Sequence, residues 1–300
     1  MNADADGLDI GFVGLGAMGW PMAANLAAAR PCKVFNRTEE VAIRHAAEHG
    51  SRAVGLAEIG RVTVLHTCLP TTADVASFAE GLEDILVEGA VWVDHTSGDP
   101  AQSRALAQRL ALRGVTYLDA PVSGGTSGAL AGTLTMMVGG SVTALDRVRG
   151  VLGAMATRVV HVGPIGAGHA VKAVNNTLLA THLLATAEGL IALQEAGVDP
   201  AVALEVINAS SGRSNASEHL FGERVLNRTF PNTFALGLLA KDCGIGQAVL
   251  DDTSTVGPML RLTGELVRAA TVAHGRDVDH SEVVRYIESM TGREIRGGGA

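Results

Sequence analysis

The chain has 300 residues, of which 47% are hydrophobic, 18% charged and only 3% aromatic, and its formal net charge is −8. That length favours two domains, and the apolar share supplies ample material for packed cores. The acidic balance argues against nucleic acid as a partner, because phosphate binding needs a basic field, yet it still allows a small anion held by a few local donors.

The opening stretch MNADADGLDI is acidic and lacks an apolar segment, so neither a signal nor a transit peptide is expected there. No uninterrupted apolar run reaches the length of a membrane span, so no membrane association is expected. Cys32, Cys68 and Cys243 are odd in number and far apart, which suits neither a disulfide framework nor a metal motif. The expectation is a soluble, cytoplasmic protein without a metal site.

Ile10–Val13 reads as a short apolar strand, followed by Gly14, Leu15, Gly16, Ala17, Met18 and Gly19, an alanine-rich helical run from Met22 to Ala29, and a second strand at Lys33–Phe35. Strand, glycine turn, helix and strand within about thirty residues form the context that a dinucleotide fingerprint requires. The first glycine permits the tight turn, the second lets backbone approach a pyrophosphate, and the third lets helix pack on strand. The phosphates then lie on the helix N-terminus, where unpaired N–H groups point outward. The plain alternative is a glycine turn that merely connects two elements.

Asn36, Arg37 and Thr38 follow the second strand, where an NAD-dedicated enzyme places a carboxylate for the ribose 2′-hydroxyl. An amide, a guanidinium and a hydroxyl can all donate to a 2′-phosphate, which favours NADP, with NAD as the alternative. The bland reading is a capping residue beside a surface arginine. Further strands are expected at Val62–Leu65, Val91–Asp94, Val115–Leu118, Leu134–Val138 and Val159–Val162, with helices such as Asp74–Leu86 and Pro100–Leu112 between them. This alternation predicts an α/β fold with a doubly wound, mostly parallel sheet over residues 1–164, and ligands at the carboxyl ends of its strands.

Beyond Pro164 the strand signals stop. Residues 165–300 read as an all-helical domain for substrate binding and oligomerisation, beginning with one unbroken pattern from Gly166 to Ala196, roughly 45 Å long. Its apolar residues run almost all the way round, so burial on most faces is expected. Pro200–Ala209, Ser217–Leu226, Phe234–Leu250, Pro258–His274 and Ser281–Met290 also read as helices, and the tail Arg296–Ala300 as frayed.

Lys172 and Asn176 lie one turn apart on the long helix, just after Gly166 and Gly168. A lysine in so apolar a stretch is suited to proton transfer, and the amide can orient a reacting oxygen. The plain alternative is a snorkelling lysine at a helix start. Ser123, Gly124 and Gly125 offer a hydroxyl beside unobstructed backbone N–H groups, which suits either a carboxylate nest or an ordinary turn. Phe234, Lys241 and Asp242 share a broad face of another helix, where Lys241 and Asp242 can equally be solvated. Arg213, in the polar break Asn208–Asn215, reads as a carboxylate clamp or an exposed loop residue. His45 and His49 have helical metal-ligand spacing without a third ligand and read as a solvated face.

These pieces resemble the β-hydroxyacid dehydrogenase family. The matching stretches are Gly11–Leu26, Cys68–Val75, Asp119–Gly125, Gly132–Gly140, Gly166–Asn176 and Phe234–Asp242, in that order along nearly the whole chain. The resemblance implies a 6-phosphogluconate dehydrogenase-like fold and hydride transfer between NADP or NAD and a short 3-hydroxy acid or its semialdehyde. It implies Lys172 as acid/base, Asn176 as substrate-orienting, and Ser123, Gly124 and Gly125 as holders of the substrate carboxylate. Thr96 and Lys241 would contact the cofactor with Leu69, Pro70 and Val75 beside it, and Phe234 and Asp242 would line the closed site. A homodimer or homotetramer through the helical domain is implied as well. Departures are His169, Cys243 after Lys241-Asp242, and the Ser/Asn-rich segment Asn208–Ser217, which leave the substrate open. The alternatives are an imine reductase of the same architecture, which typically lacks the lysine, and a non-catalytic dinucleotide-binding protein.

Overall fold

The computed structural model describes residues 7–297. The chain divides into two compact units, Met1–Lys172 and Ala173–Ala300. The first carries β1 (Ile10–Val13), α1 (Gly19–Ala29), β2 (Lys33–Phe35), α2 (Glu39–His49), β3 (Arg52–Ala53), α3 (Leu56–Ile59), β4 (Val64–Thr67), α4 (Thr72–Glu80), β5 (Val91–Asp94) and α5 (Pro100–Ala111). It continues through β6 (Thr116–Asp119), β7 (Val122–Ser123), α6 (Gly125–Ala131), β8 (Leu134–Gly139), α7 (Val142–Leu152) and β9 (Ala156–Gly163). α8 (Ala167–Glu195) contains the division, so its first residues group with the sheet.

The nine strands form one sheet in the order β3-β2-β1-β4-β5-β6-β8-β7, with β9 alongside β8. Pairing is parallel from β3 to β6 and between β8 and β9, and antiparallel where β8 meets β6 and β7. The expected mixed fold is therefore present, with a short antiparallel turn-back that the strand pattern did not foretell. Central strands such as β1, β4 and β5 are buried at every position, because helices cover both faces of the sheet. Phe12, Val64, Val93 and Leu118 pack on one face, and Val13, Leu65, Trp92 and Tyr117 on the other. Helix starts are set locally: Asp99 caps α5 ahead of Pro100, and Ser141 caps α7.

The second unit comprises the rest of α8, α9 (Pro200–Asn208), a π-helical segment Ala216–Val225, α10 (Leu236–Asp252), α11 (Pro258–His274), a 3₁₀ turn His280–Glu282 and α12 (Val283–Thr291). Leu183, Leu190, Phe221, Leu239, Val267 and Ile287 belong to its core. By length and composition α8 could cross a membrane, although Lys172, Asn175, Asn176 and His182 interrupt its apolar run. It is nevertheless a core helix, packing Ala180, Leu184, Ala187 and Ile191 against its neighbours. Burial is also narrower than expected, since Leu178, Ala185 and Ala192 leave one apolar face exposed. Most of the tail read as frayed lies outside the described residues.

Candidate active site

The glycine turn after β1 divides its work as the fingerprint demands. Gly14 adopts φ +91°, and a Cβ there would lie 2.3 Å from the Cys68 carbonyl oxygen. A Cβ on Gly19 would lie 1.9 Å from the Gly14 carbonyl oxygen, so helix and turn pack backbone to backbone. Gly16 is exposed, and a Cβ there would meet nothing within 4 Å. α1 starts without a side-chain cap and without an acidic residue in its first turn. An open glycine ahead of an uncapped helix start fits the pyrophosphate of a dinucleotide.

Asn36 departs from its expected part. Its Oδ1 accepts from the Leu15 N–H at 3.0 Å and its Nδ2 donates to the Thr38 carbonyl at 3.1 Å. This amide braces the glycine turn against the β2–α2 corner, and the Leu15 N–H is correspondingly engaged within the protein. Arg37 and Thr38 are exposed at that corner, where the Thr38 carbonyl takes part in the bracing.

Beneath the next two turns lies a buried polar network. Asp94, at the end of β5, accepts from the Thr67 hydroxyl at 2.8 Å, the Tyr117 hydroxyl at 2.7 Å and the Thr96 N–H at 3.1 Å. The Thr96 hydroxyl accepts from the Leu69 N–H at 3.1 Å, tying the Leu69-Pro70 turn to the Thr96 turn. Val75, on the inner face of α4, is fully buried and anchors that helix in the core, which corrects its placement beside the cofactor.

On the opposite face, His66 Nδ1 lies 3.0 Å from His95 Nε2, and His95 Nδ1 lies 2.9 Å from the Ala120 carbonyl oxygen. A carbonyl only accepts, so His95 carries its proton on Nδ1, and His66 must donate from its own Nδ1. Both rings are neutral in this arrangement, and burial pushes both below the usual histidine range. His45 is lowered for the same first reason. It corrects the solvated-face reading, being buried between the Ser51 hydroxyl at 2.7 Å and the Trp20 carbonyl at 3.1 Å, while His49 accepts from the Trp20 indole at 3.0 Å. The unfolded chain takes up protons on these histidines near pH 6.5 and the folded chain only lower. Stability is thus fully present above that pH and is lost as pH falls below it, with a slope of up to about 1.4 kcal/mol per pH unit for each ring. Urea melts from pH 7.5 to 5 should show it, and a flat profile would refute the neutral pair.

β6 ends at Asp119, a buried carboxylate that burial pushes above the usual range. Its Oδ1 accepts from the Gly166 N–H at 2.8 Å and its Oδ2 from the His169 N–H at 2.9 Å, which holds the start of α8. Lys172 follows on the second turn of α8, half-buried. The His169 ring lies 2.8 Å from the Ser103 hydroxyl through Nδ1. Four residues after Asp119, Ser123 precedes Gly124 at φ +132° and Gly125 at φ +62°, and α6 begins there. Consecutive glycines of this kind present N–H groups without side chains in the way.

In the helical unit, Asn176 is buried and its Nδ2 donates to Asp242 Oδ2 at 2.6 Å, linking α8 to α10. Lys241 Nζ lies 3.5 Å from Asp242 Oδ1. Asp242 is thus a buried partner of Asn176, which corrects the solvated reading of that residue. Phe234 rests on His280, with ring centroids 5.4 Å apart. Its backbone is held by Asp279, which accepts from the Phe234 N–H at 3.3 Å, the Thr233 N–H at 2.9 Å and Arg224 at 3.0 Å. Burial alone would raise the Asp279 carboxyl, but hydrogen bonds from His280, Ser281 and Thr233 hold it far below the usual range. Arg213 is exposed and lies 3.8 Å from Glu218.

The family model for the NAD binding domain of 6-phosphogluconate dehydrogenase matches residues 9–163. The model described as NAD-binding of NADP-dependent 3-hydroxyisobutyrate dehydrogenase matches residues 166–287. The 2-(hydroxymethyl)glutarate dehydrogenase of Eubacterium barkeri is 34% identical over 297 residues, covering 97% of this chain and 98% of its own. The chain belongs to the β-hydroxyacid dehydrogenase family. Another relative, the NAD-dependent L-serine dehydrogenase of Pseudomonas aeruginosa, is 32% identical over 295 residues, covering 95% and 99% of the two chains. The solved Mycobacterium tuberculosis 3-hydroxyisobutyrate dehydrogenase with L-serine superposes with a TM-score of 0.86 at 30% identity, covering 93% of this chain and 99% of that one. As a β-hydroxyacid dehydrogenase, the chain is an NAD(P)-dependent oxidoreductase.

Gly14–Gly19, Leu69, Thr96, Ser123–Gly125 and Lys172 lie in the first unit, and Asn176, Lys241 and Asp242 in the second. Asp119, Asp94, the His66–His95 pair and Asp279 escaped the sequence reading. A readable trace existed for two of them: His66 stands next to last in β4 and His95 directly follows β5, so each comes just after a short apolar run.

Proposed function

We propose that this enzyme oxidises a short 3-hydroxy acid to its semialdehyde, or runs the reverse, with Lys172 as general acid/base and NADP as the preferred cofactor. The observation that carries the reading is the placement of Lys172 on the second turn of a helix whose start is pinned to the carboxyl end of β6. Bound NAD(P) supplies or accepts the hydride. Ser123 and the Gly124 and Gly125 N–H groups hold the substrate carboxylate. Asn176, fixed by Asp242, turns its remaining N–H toward the reacting oxygen. Lys172 takes the hydroxyl proton during oxidation and returns it during reduction. The substrates for which the relatives are named support the class, since serine, 3-hydroxyisobutyrate and 2-(hydroxymethyl)glutarate each carry a hydroxymethyl group one carbon from a carboxylate.

Arg37, exposed beside the engaged Asn36, carries the NADP preference. Arg37→Ala should weaken NADP about tenfold to a hundredfold and leave NAD nearly unchanged, read from kinetics with both cofactors in both directions. Equal use of the two cofactors by the unaltered enzyme would remove this part of the proposal. A screen with 3-hydroxyisobutyrate, serine, glycerate and succinic semialdehyde tests the substrate class, and no turnover with any of them would sink it. The chain further assembles as a homodimer or homotetramer through the exposed apolar faces of α8 (Leu178, Ala185, Ala192) and α9 (Val202, Val206), and a monomer in sedimentation would refute that.

A further inference from the structure

We propose that Asp119 is a positioning residue that sets the distance between the substrate-carboxylate turn and the proton-transfer amine, and through it the chain length the enzyme accepts. The inference rests on the roles just given to Ser123–Gly125 and Lys172. Asp119 closes β6 four residues before Ser123, and its two oxygens hold the Gly166 and His169 N–H groups at 2.8 and 2.9 Å. Lys172 lies three residues beyond His169 on the same rigid helix. One carboxylate therefore joins, by short stretches of ordered backbone, the turn that grips the acid end of the substrate and the amine that works on its hydroxyl.

The surroundings are cleared for this contact. A Cβ on Gly139 would lie 2.4 Å from Asp119 Oδ1, and one on Gly168 would lie 2.3 Å from the Met137 carbonyl and 2.7 Å from the Asp119 carbonyl. Gly166 turns at φ +91° to bring its N–H inward. Other helices use a cheaper device: α5, α7 and α9 are capped by Asp99, Ser141 and Asp199, each immediately before its helix. α8 is held instead by a fully buried carboxylate 47 and 50 residues away in sequence. A local cap would satisfy the same N–H groups without desolvating a charge. What the remote one adds is a fixed spacing between strand β6 and the helix.

That spacing suits one number of carbons between carboxylate and hydroxyl. The test compares glycolate, 3-hydroxypropionate and 4-hydroxybutyrate in the full-length enzyme, Asp119→Asn and Gly168→Ala. Asparagine retains one accepting oxygen but turns an NH₂ toward the second amide, whereas the alanine wedges the helix start away from the Met137 and Asp119 carbonyls. In either variant, kcat for the preferred length should fall about tenfold to a hundredfold, and preference over the other lengths should narrow about threefold or more. The dinucleotide Kd, by fluorescence titration, should stay within about twofold, and amide exchange at Gly166–His169 should quicken. A uniform fall for all three lengths, with the preference unchanged in whichever variant folds, makes Asp119 merely structural and overturns the proposal. An unaltered enzyme inactive on every length overturns the functional reading and this inference together, a result separable from the first.

Discussion

Replacing Lys172 by methionine is expected to lower kcat about a hundredfold to ten-thousandfold while dinucleotide affinity stays within about twofold. The side chain is half-buried on a helix whose first turn is fixed by Asp119, so a methionine of similar length keeps the packing and removes only the titrating group. Arginine separates two explanations. It preserves positive charge but holds its proton at any working pH, so an electrostatic role would survive Lys172→Arg and a proton-transfer role would not. Both variants should be comparably inactive in steady-state assays. A methionine variant retaining a tenth or more of the turnover would end the case for Lys172 as acid/base.

The second large effect concerns the glycine turn, whose three positions should fail in different ways. Gly16→Val should leave the melting temperature close to that of the unaltered chain, because nothing lies within 4 Å of the added Cβ. Its branched side chain instead occupies the space through which pyrophosphate approaches, so dinucleotide binding should weaken about a hundredfold. Gly19→Ala places a methyl group 1.9 Å from the Gly14 carbonyl oxygen, and Gly14→Ala forces φ +91° on a residue with a Cβ. Those two should cost about 1–3 kcal/mol or more of stability before any ligand is added. Thermal denaturation paired with fluorescence titration distinguishes the classes. Loss of folding in Gly16→Val, or unimpaired binding by it, would contradict a dinucleotide at this turn.

What could be read in advance follows the range of the interactions involved. The glycine turn, β1, β2, α5, α8 and α11 each declare themselves within a few neighbouring residues, through composition, capping and period. Asp119 was hidden because its partners lie 47 and 50 residues away, and the adjacent Ser123–Gly125 drew the functional reading to itself. β7, only two residues long, is too short for a period, so the antiparallel turn-back at β8 left no trace. Ala216–Val225 read as an ordinary helix, since composition barely distinguishes the wider π-turn from the α-turn. Phe234 was expected in the site, but the residue that fixes its backbone, Asp279, lies 45 positions on and carries no local signature. Asn36 has a bracing part that its type did not announce: its bonds run to Leu15 and Thr38.

That last arrangement decides how coenzyme choice can be rewritten in this scaffold. Positions 37 and 38 form a solvent-facing panel that can be exchanged for an acidic pair without disturbing the loop behind it. Position 36 is a rivet: replacing it removes the bonds to the Leu15 N–H and the Thr38 carbonyl, so the glycine turn should loosen first.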